Sequence, residues 1–166
     1  MVENPNLRLF APNIEYTFRV YDAKGQLLDT RSGKSFMYPN ERTFFYEPNL
    51  SYRTIAPAQV EFRLQSISWQ NFEQKDPLLI DVQSKNYEGD PMPLVRALLR
   101  NKSLFLEKML EVYILLMRED GNVYAASRTT LEQMASGEER DIVFTWPGAS
   151  FETPNNILLL YRRIPE

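Results

Sequence analysis

Shifted by about 97 residues, this sequence lies on itself, and that internal repeat narrows its possible folds more than any other feature. Asn4 in "VENPN" falls on Asn101 in "LLRNKS". "YTFRVYDAKGQLL" (16–28) falls on "VYILLMREDGNVY" (112–124), which sets Gly25 over Gly121. "TRS" (30–32) falls on "SRT" (127–129), matching Arg31 with Arg128, and "NERTFFYEP" (40–48) falls on "EERDIVFTWP" (138–147). "PAQVEFRL" (57–64) closes the series on "PNNILLLY" (154–161). Order is kept across the five blocks and the offset drifts only between 96 and 99. A duplicated domain accounts for this ordered series better than chance likeness between strand-rich stretches.

The repeated unit reads as β-structure. Tyr16, Phe18 and Val20 alternate with Thr17, Arg19 and Tyr21, and Val60, Phe62 and Leu64 alternate with Glu61, Arg63 and Gln65. This period of two is the mark of half-buried strands. "DAKGQ" and "EDGN" supply glycine where a hairpin needs a positive φ. Residues 93–117 pull the other way, being rich in helix-favouring Leu, Met, Glu and Lys. The repeat decides for two strands joined near 100–103. Leu104, Leu106, Leu110, Val112, Ile114 and Leu116 are then expected on one face, with Glu107, Met109, Glu111 and Tyr113 on the other. "TLEQMASGEE" (130–139) has room for a short helical turn. Short strands with turn signals about every ten residues predict sandwiches. The expected fold is all-β, two tandem immunoglobulin-like or fibronectin-III-like β-sandwiches, with a boundary in "NFEQKDP" that gives domains 1–74 and 75–166.

The two copies open differently. Before Asn101 lie the 26 residues from Lys75 to Arg100, including a candidate strand "LLIDV" (78–82); before Asn4 lie three. The first sandwich is therefore expected to lack its opening strand and to present an open edge. The competing expectation is that "SISWQNF" (66–72), which has no counterpart in the second copy, caps that edge.

Composition removes several kinds of chemistry. The chain has no Cys and no His, which excludes disulfides, thiolate nucleophiles, Cys/His zinc sites and a serine triad. A net charge of −3 leaves no basic footprint for nucleic acid. The six glycines form no phosphate loop. The acidic turns "EDGN" and "YEGDP" lack calcium-loop spacing, and the carboxylates Asp22, Glu41, Glu47, Glu119, Asp120, Glu138, Glu139 and Asp141 read as turn or exposed-strand residues. No catalytic residue, cofactor or metal is expected. No run of 18 apolar residues occurs, and residues 1–20 show no basic start followed by a long apolar core.

"ENPN" followed by "YTFRVYD" resembles the WHy (water stress and hypersensitive response) domain of late-embryogenesis-abundant proteins. "FRVYDAKG" (18–25) resembles the bacterial Phe-x-Leu-Tyr-Asp domain, with Val20 in place of Leu. The pair, ending "SRTTLEQMASGEERDIVFTWP", is similar to uncharacterised two-domain proteins of candidate-phylum bacteria. The resemblance implies immunoglobulin-like sandwiches and a setting on the extracytoplasmic face of a bacterial membrane, reached through an N-terminal anchor. It implies a non-catalytic binding or spacer role in the cell envelope. The WHy likeness implies instead a stress-protective or chaperone-like protein, with a cytoplasmic location as the alternative. It carries no catalytic residue. "RNKS" in place of Asn-Pro-Asn and "LLMRED" without the Tyr-Asp pair depart from the pattern in the second copy.

Aromatic residues are the remaining candidates, because Trp and Tyr dominate interface contacts. Tyr38, Phe45, Tyr46, Tyr52 and Trp69, all in the first copy, are the expected contacts for a protein partner. Self-association through the open edge is the alternative. Trp146, between "DIVFT" and Pro147, is expected to be buried.

Overall fold

The computed structural model describes residues 1–48, 57–73, 76–147 and 152–165. Eleven strands follow one another, with no helix among the described residues: β1 (Val2–Glu3), β2 (Leu9–Tyr21), β3 (Leu27–Met37), β4 (Arg42–Thr43), β5 (Gln59–Asn71), β6 (Ile80–Glu88), β7 (Leu94–Asn101), β8 (Glu107–Met117), β9 (Val123–Met134), β10 (Glu139–Thr145) and β11 (Asn156–Arg163). All paired strands are antiparallel. The chain divides into two compact units, Met1–Lys75 and Asp76–Ile164.

The second unit is a β-sandwich of two three-stranded sheets, β10-β7-β6 and β11-β8-β9. One core joins them: Val95, Ala97, Leu99, Ile142 and Phe144 from the first sheet meet Leu110, Val112, Ile114 and Leu116 from the second. Strand β8 carries the helix-favouring "EKMLEVYILLM", yet its central place buries residues on both faces. Burial of Val112, Ile114 and their neighbours on a pleated surface outweighs the modest local preference for helix. Trp146 is half-buried against this core and donates its Nε1–H to the Ala126 carbonyl at 3.0 Å.

The first unit has one complete sheet, β3-β2-β5, and a two-residue ladder, β1-β4. Its buried cluster is small, Ala11, Ile14 and Met37, with Val2 and Phe45 packed on it. Corresponding registers run through both units. Tyr21 pairs with Leu27 and Gln59, as Met117 pairs with Val123 and Asn156. Val2 pairs with Thr43 and Glu3 with Arg42, as Leu99 pairs with Arg140 and Arg100 with Glu139. Gly25 and Gly121 both take the left-handed conformation, at φ 79° and 81°. Each donates its N–H to the carbonyl three residues back, Asp22 or Arg118. No Cβ-bearing residue adopts that φ without strain.

Five expectations are corrected. Leu104 and Leu106 do not join the buried stripe: they precede β8 in an open loop, and Leu104 is 86% exposed. The opposite face is not uniform either, since Glu107 and Glu111 are buried while Met109, at φ 48°, turns outward. Residues 66–71 of "SISWQNF" do not cap an edge. They prolong β5 along β2, with Ser66 opposite Glu15 and Asn71 opposite Leu9. Finally, Arg31 and Arg128 are not equivalent. Arg31 lies across from Phe18, whereas the residue across from Ile114, the counterpart of Phe18, is Ser127. Residues 130–134 of "TLEQMASGEE" continue β9, and a turn rather than a helix follows.

Candidate functional site: an open sheet face in the first unit

Each unit is pinned by a buried asparagine. The Asn4 Nδ2 amide donates to the carbonyls of Leu9 (2.8 Å) and Tyr38 (2.9 Å), and its Oδ1 accepts from the backbone and side chain of Asn6. The Asn101 Nδ2 amide donates to the carbonyls of Phe105 (2.9 Å), Met134 (2.9 Å) and Ala135 (3.1 Å), while its Oδ1 accepts from the N–H and hydroxyl of Ser103. The Asn4 N–H reaches the Glu41 carbonyl and the Asn101 N–H the Glu138 carbonyl, both at 2.9 Å. The carboxylates of those same glutamates accept from the N–H of Tyr38 and of Ala135, both at 2.6 Å. A buried amide that meets its hydrogen-bonding capacity fixes chain direction at a strand end. These two nodes hold the turns and leave no group free to react.

The second unit adds ion pairs on the face of β8 that points away from the shared core. The Glu111 carboxylate accepts from Arg162 Nε (2.7 Å) and Arg128 Nη1 (3.1 Å), and the Arg162 guanidinium lies over the Tyr113 ring. The Glu107 carboxylate accepts two bonds from Arg163, at 2.6 and 2.7 Å, which hold it below the ordinary glutamate range. Burial pushes the Tyr113 hydroxyl up. Every charge here is matched, so the cluster orients strands and offers no unpaired acid or base. Among the described residues no three Asp or Glu side chains converge as a metal site.

The first unit differs on its inner sheet face. Tyr16, Phe18, Phe45 and Phe62 form one ring cluster, with Tyr16–Phe45 centroids 4.7 Å apart and Phe18–Phe62 5.0 Å. The Tyr16 hydroxyl donates to Glu47 at 2.6 Å, directly over Gly33, where an added Cβ would collide with both groups. Beyond this cluster the β5 side chains open to solvent: Val60 is 57% exposed, Leu64 42%, Ile67 36% and Trp69 45%. By register Val60 and Leu64 match Ile157 and Tyr161 of β11, which both pack against the sandwich core, whereas Ile67 and Trp69 lie past the end of the match. There β6 lies alongside: Tyr161 donates to the Ile80 carbonyl (2.6 Å) and Lys85 to the Ile157 carbonyl (2.5 Å). The first unit has no strand matching β6 among its described residues.

The five aromatic candidates do not form one patch. Trp69 stands on the open face of β5. Phe45 belongs to the Tyr16 cluster at one edge of that face. Tyr38 sits in a second cluster, stacked on Phe10 at 4.9 Å with Phe36 and Phe72 at its edges. Tyr46 is half-buried and engaged in a contact of its own, and Tyr52 lies outside the described residues. The residues missed by a search for large aromatics are Val60, Leu64 and Ile67. For Val60 and Leu64 the signal was present in the alternation of β5 together with the missing counterpart of β6, whereas Ile67 reaches that face only through the irregularity at Gln65. Comparison with protein-family models, with curated proteins and with solved structures finds no match for this chain.

Proposed function

We propose that this chain is a non-catalytic binding module built from two copies of an immunoglobulin-like sandwich, in which the second copy is the closed scaffold and the first is the binding half. The observation that carries this reading is the apolar face Val60, Leu64, Ile67 and Trp69, exposed in the first unit where the second unit covers the corresponding strand. The recurrent asparagine nodes, glycine turns and strand registers support a duplicated ancestry. An exposed sheet face with an unpaired strand beside it binds extended polypeptide, because main-chain bonds supply affinity and alternate side chains supply selection. The expected ligand is accordingly a protein segment with apolar residues at every second position. Placement at the outer face of a bacterial membrane rests on the family resemblance alone and belongs to the proposal.

Titration of the full chain with a panel of extended peptides of alternating apolar pattern, followed through Trp69 emission, tests the reading. Binding that Leu64→Asp abolishes, with the far-ultraviolet dichroism unchanged, supports it. Binding that Leu64→Asp leaves intact, or no binding across the panel, contradicts it. The same exposed face also favours the stress-protective reading, in which unfolded clients are the ligands. In that case the chain suppresses aggregation of a heat-unfolded reporter protein, and Leu64→Asp removes the effect.

A further inference from the structure

Strand β5 is 13 residues long, lies at the end of its sheet and contains neither Pro nor Lys. Among the described residues its backbone bonds run to β2 only, so the opposite row of N–H and C=O groups is unpaired. Natural edge strands are guarded by brevity, by proline, by charged side chains, lysine above all, or by bulges. In the second unit the corresponding edge strand β11 has eight residues, and Lys85 sits on its Ile157 carbonyl. Among the described residues β5 is neither short nor covered; its charges are Glu61 and Arg63, and its irregularities lie beyond Leu64.

Resting on the binding-module reading, we infer that the partner of this edge is a second copy of the same chain, with β5 pairing antiparallel to its own twofold mate about Phe62. The charges of β5 select this register. Side chains directly opposite in an antiparallel pair share a face, so a symmetric pairing must centre on a residue. Centred on Phe62, Glu61 of one copy meets Arg63 of the other, twice, and Val60 meets Leu64, twice. Centred one residue earlier, Glu61 faces Glu61; one residue later, Arg63 faces Arg63. Both slips put like charges together, which a cross-strand pair disfavours. Backbone geometry agrees: β5 pairs regularly with β2 from Gln59 to Leu64, and the irregularity comes beyond, where Gln65 is skipped between Leu64 and Ser66. In one chain Arg63 reaches Glu61 Oε1 at 2.6 and 2.8 Å while Tyr21 of β2 donates to Glu61 Oε2 at 3.2 Å, so the mate's Arg63 would share or replace these partners. The product is a continuous six-stranded sheet, β3-β2-β5-β5-β2-β3.

Sedimentation equilibrium of the full chain over a concentration series tests this. The wild type is expected to dimerise reversibly. Glu61→Arg alone and Arg63→Glu alone should each weaken the dimer about tenfold or more, since two attractive pairs become two repulsive ones, a change of about 1.4 kcal/mol per decade. An equimolar mixture of the two single variants should recover wild-type affinity, because each then supplies the charge opposite to the other's. Repair within one chain cannot produce that recovery. A wild type that stays monomeric overturns the self-pairing and leaves the peptide titration above to judge the binding-module reading. A dimer that both reversals leave untouched, or a mixture that fails to recover, overturns the register about Phe62.

Discussion

Strands β2 and β8 occupy corresponding places, each central in a three-stranded sheet, with matching registers over residues 16–21 and 112–117, yet they live in different surroundings. The inner face of β8 is closed: Leu110, Val112, Ile114 and Leu116 are wholly buried beneath β10-β7-β6. In the first unit Ile14, Tyr16 and Val20 of β2 are buried as well, and it is the neighbouring β5 that stands open among the described residues, at Val60, Leu64, Ile67 and Trp69. One strand pattern therefore yields a stable core in one unit and an accessible apolar surface in the other. What decides between a core and a binding surface is the presence of a covering sheet. Both sheets carry alternating apolar residues, so the sheet pattern itself does not distinguish the two outcomes.

The largest expected effect sets a closed position of one unit against an open position of the other. Ile114→Ala removes a fully buried side chain from the closed sandwich and should cost about 2–5 kcal/mol. Leu64→Ala, on the open face of β5, should stay within about 0.5 kcal/mol, as exposed positions do. Urea unfolding of each variant checks the pair. Equal losses would mean that the face of the first unit is covered in solution.

A second effect separates the units by acid. The Arg163 bonds depress the Glu107 pKa in the folded state. For a carboxylate depressed on folding, the stabilisation is complete above its unfolded value and is lost as pH falls through the folded one. The second unit should thus lose stability on acidification below the ordinary glutamate range, and Glu107→Gln should flatten that part of the profile. Melting curves at successive pH values, read from Trp146, give the test; an unchanged slope in the variant would contradict it.

Much of this comparison was legible in the sequence, for reasons that can be named. Gly25 and Gly121 are local turns set by their neighbours, and Asn4 and Asn101 each tie their own turn to a carbonyl at a fixed distance along the chain, Tyr38 or Ala135, so their spacing carried the registers. The alternation in 16–21 and 60–64 marked faces correctly. It could not say which faces would be covered, because covering comes from residues distant in sequence. Leu104 and Leu106 looked like core by parity, but the Asn101 and Ser103 side chains hold a turn through Phe105 that places them outside. "SISWQNF" looked like a cap because it had no counterpart, while the irregularity at Gln65 lets it continue along β2. Tyr38 and Trp69 were grouped as aromatic residues of the first copy, and the fold puts Tyr38 in the Phe10 cluster and Trp69 on the open face of β5.

A smaller effect sharpens the likeness instead of the difference. Gly25→Ala and Gly121→Ala each place a Cβ in the left-handed region with no neighbour within 4 Å, so backbone strain alone sets the cost. Each should destabilise its own unit by about 1–2 kcal/mol, and the two values should agree. A large disparity between them would mean that the two turns are not equivalent.

The most direct test of the contrast between an open first unit and a closed second one is amide hydrogen exchange along the intact chain, at a concentration low enough to keep it monomeric. Slowest exchange reports the most cooperative structure. The account predicts that the amides of β8, β7 and β10 are the most protected, that those of β2 exchange faster than their counterparts in β8, and that β5 exchanges faster than β11. Equal protection of β2 and β8, with β5 as slow as β11, would contradict it.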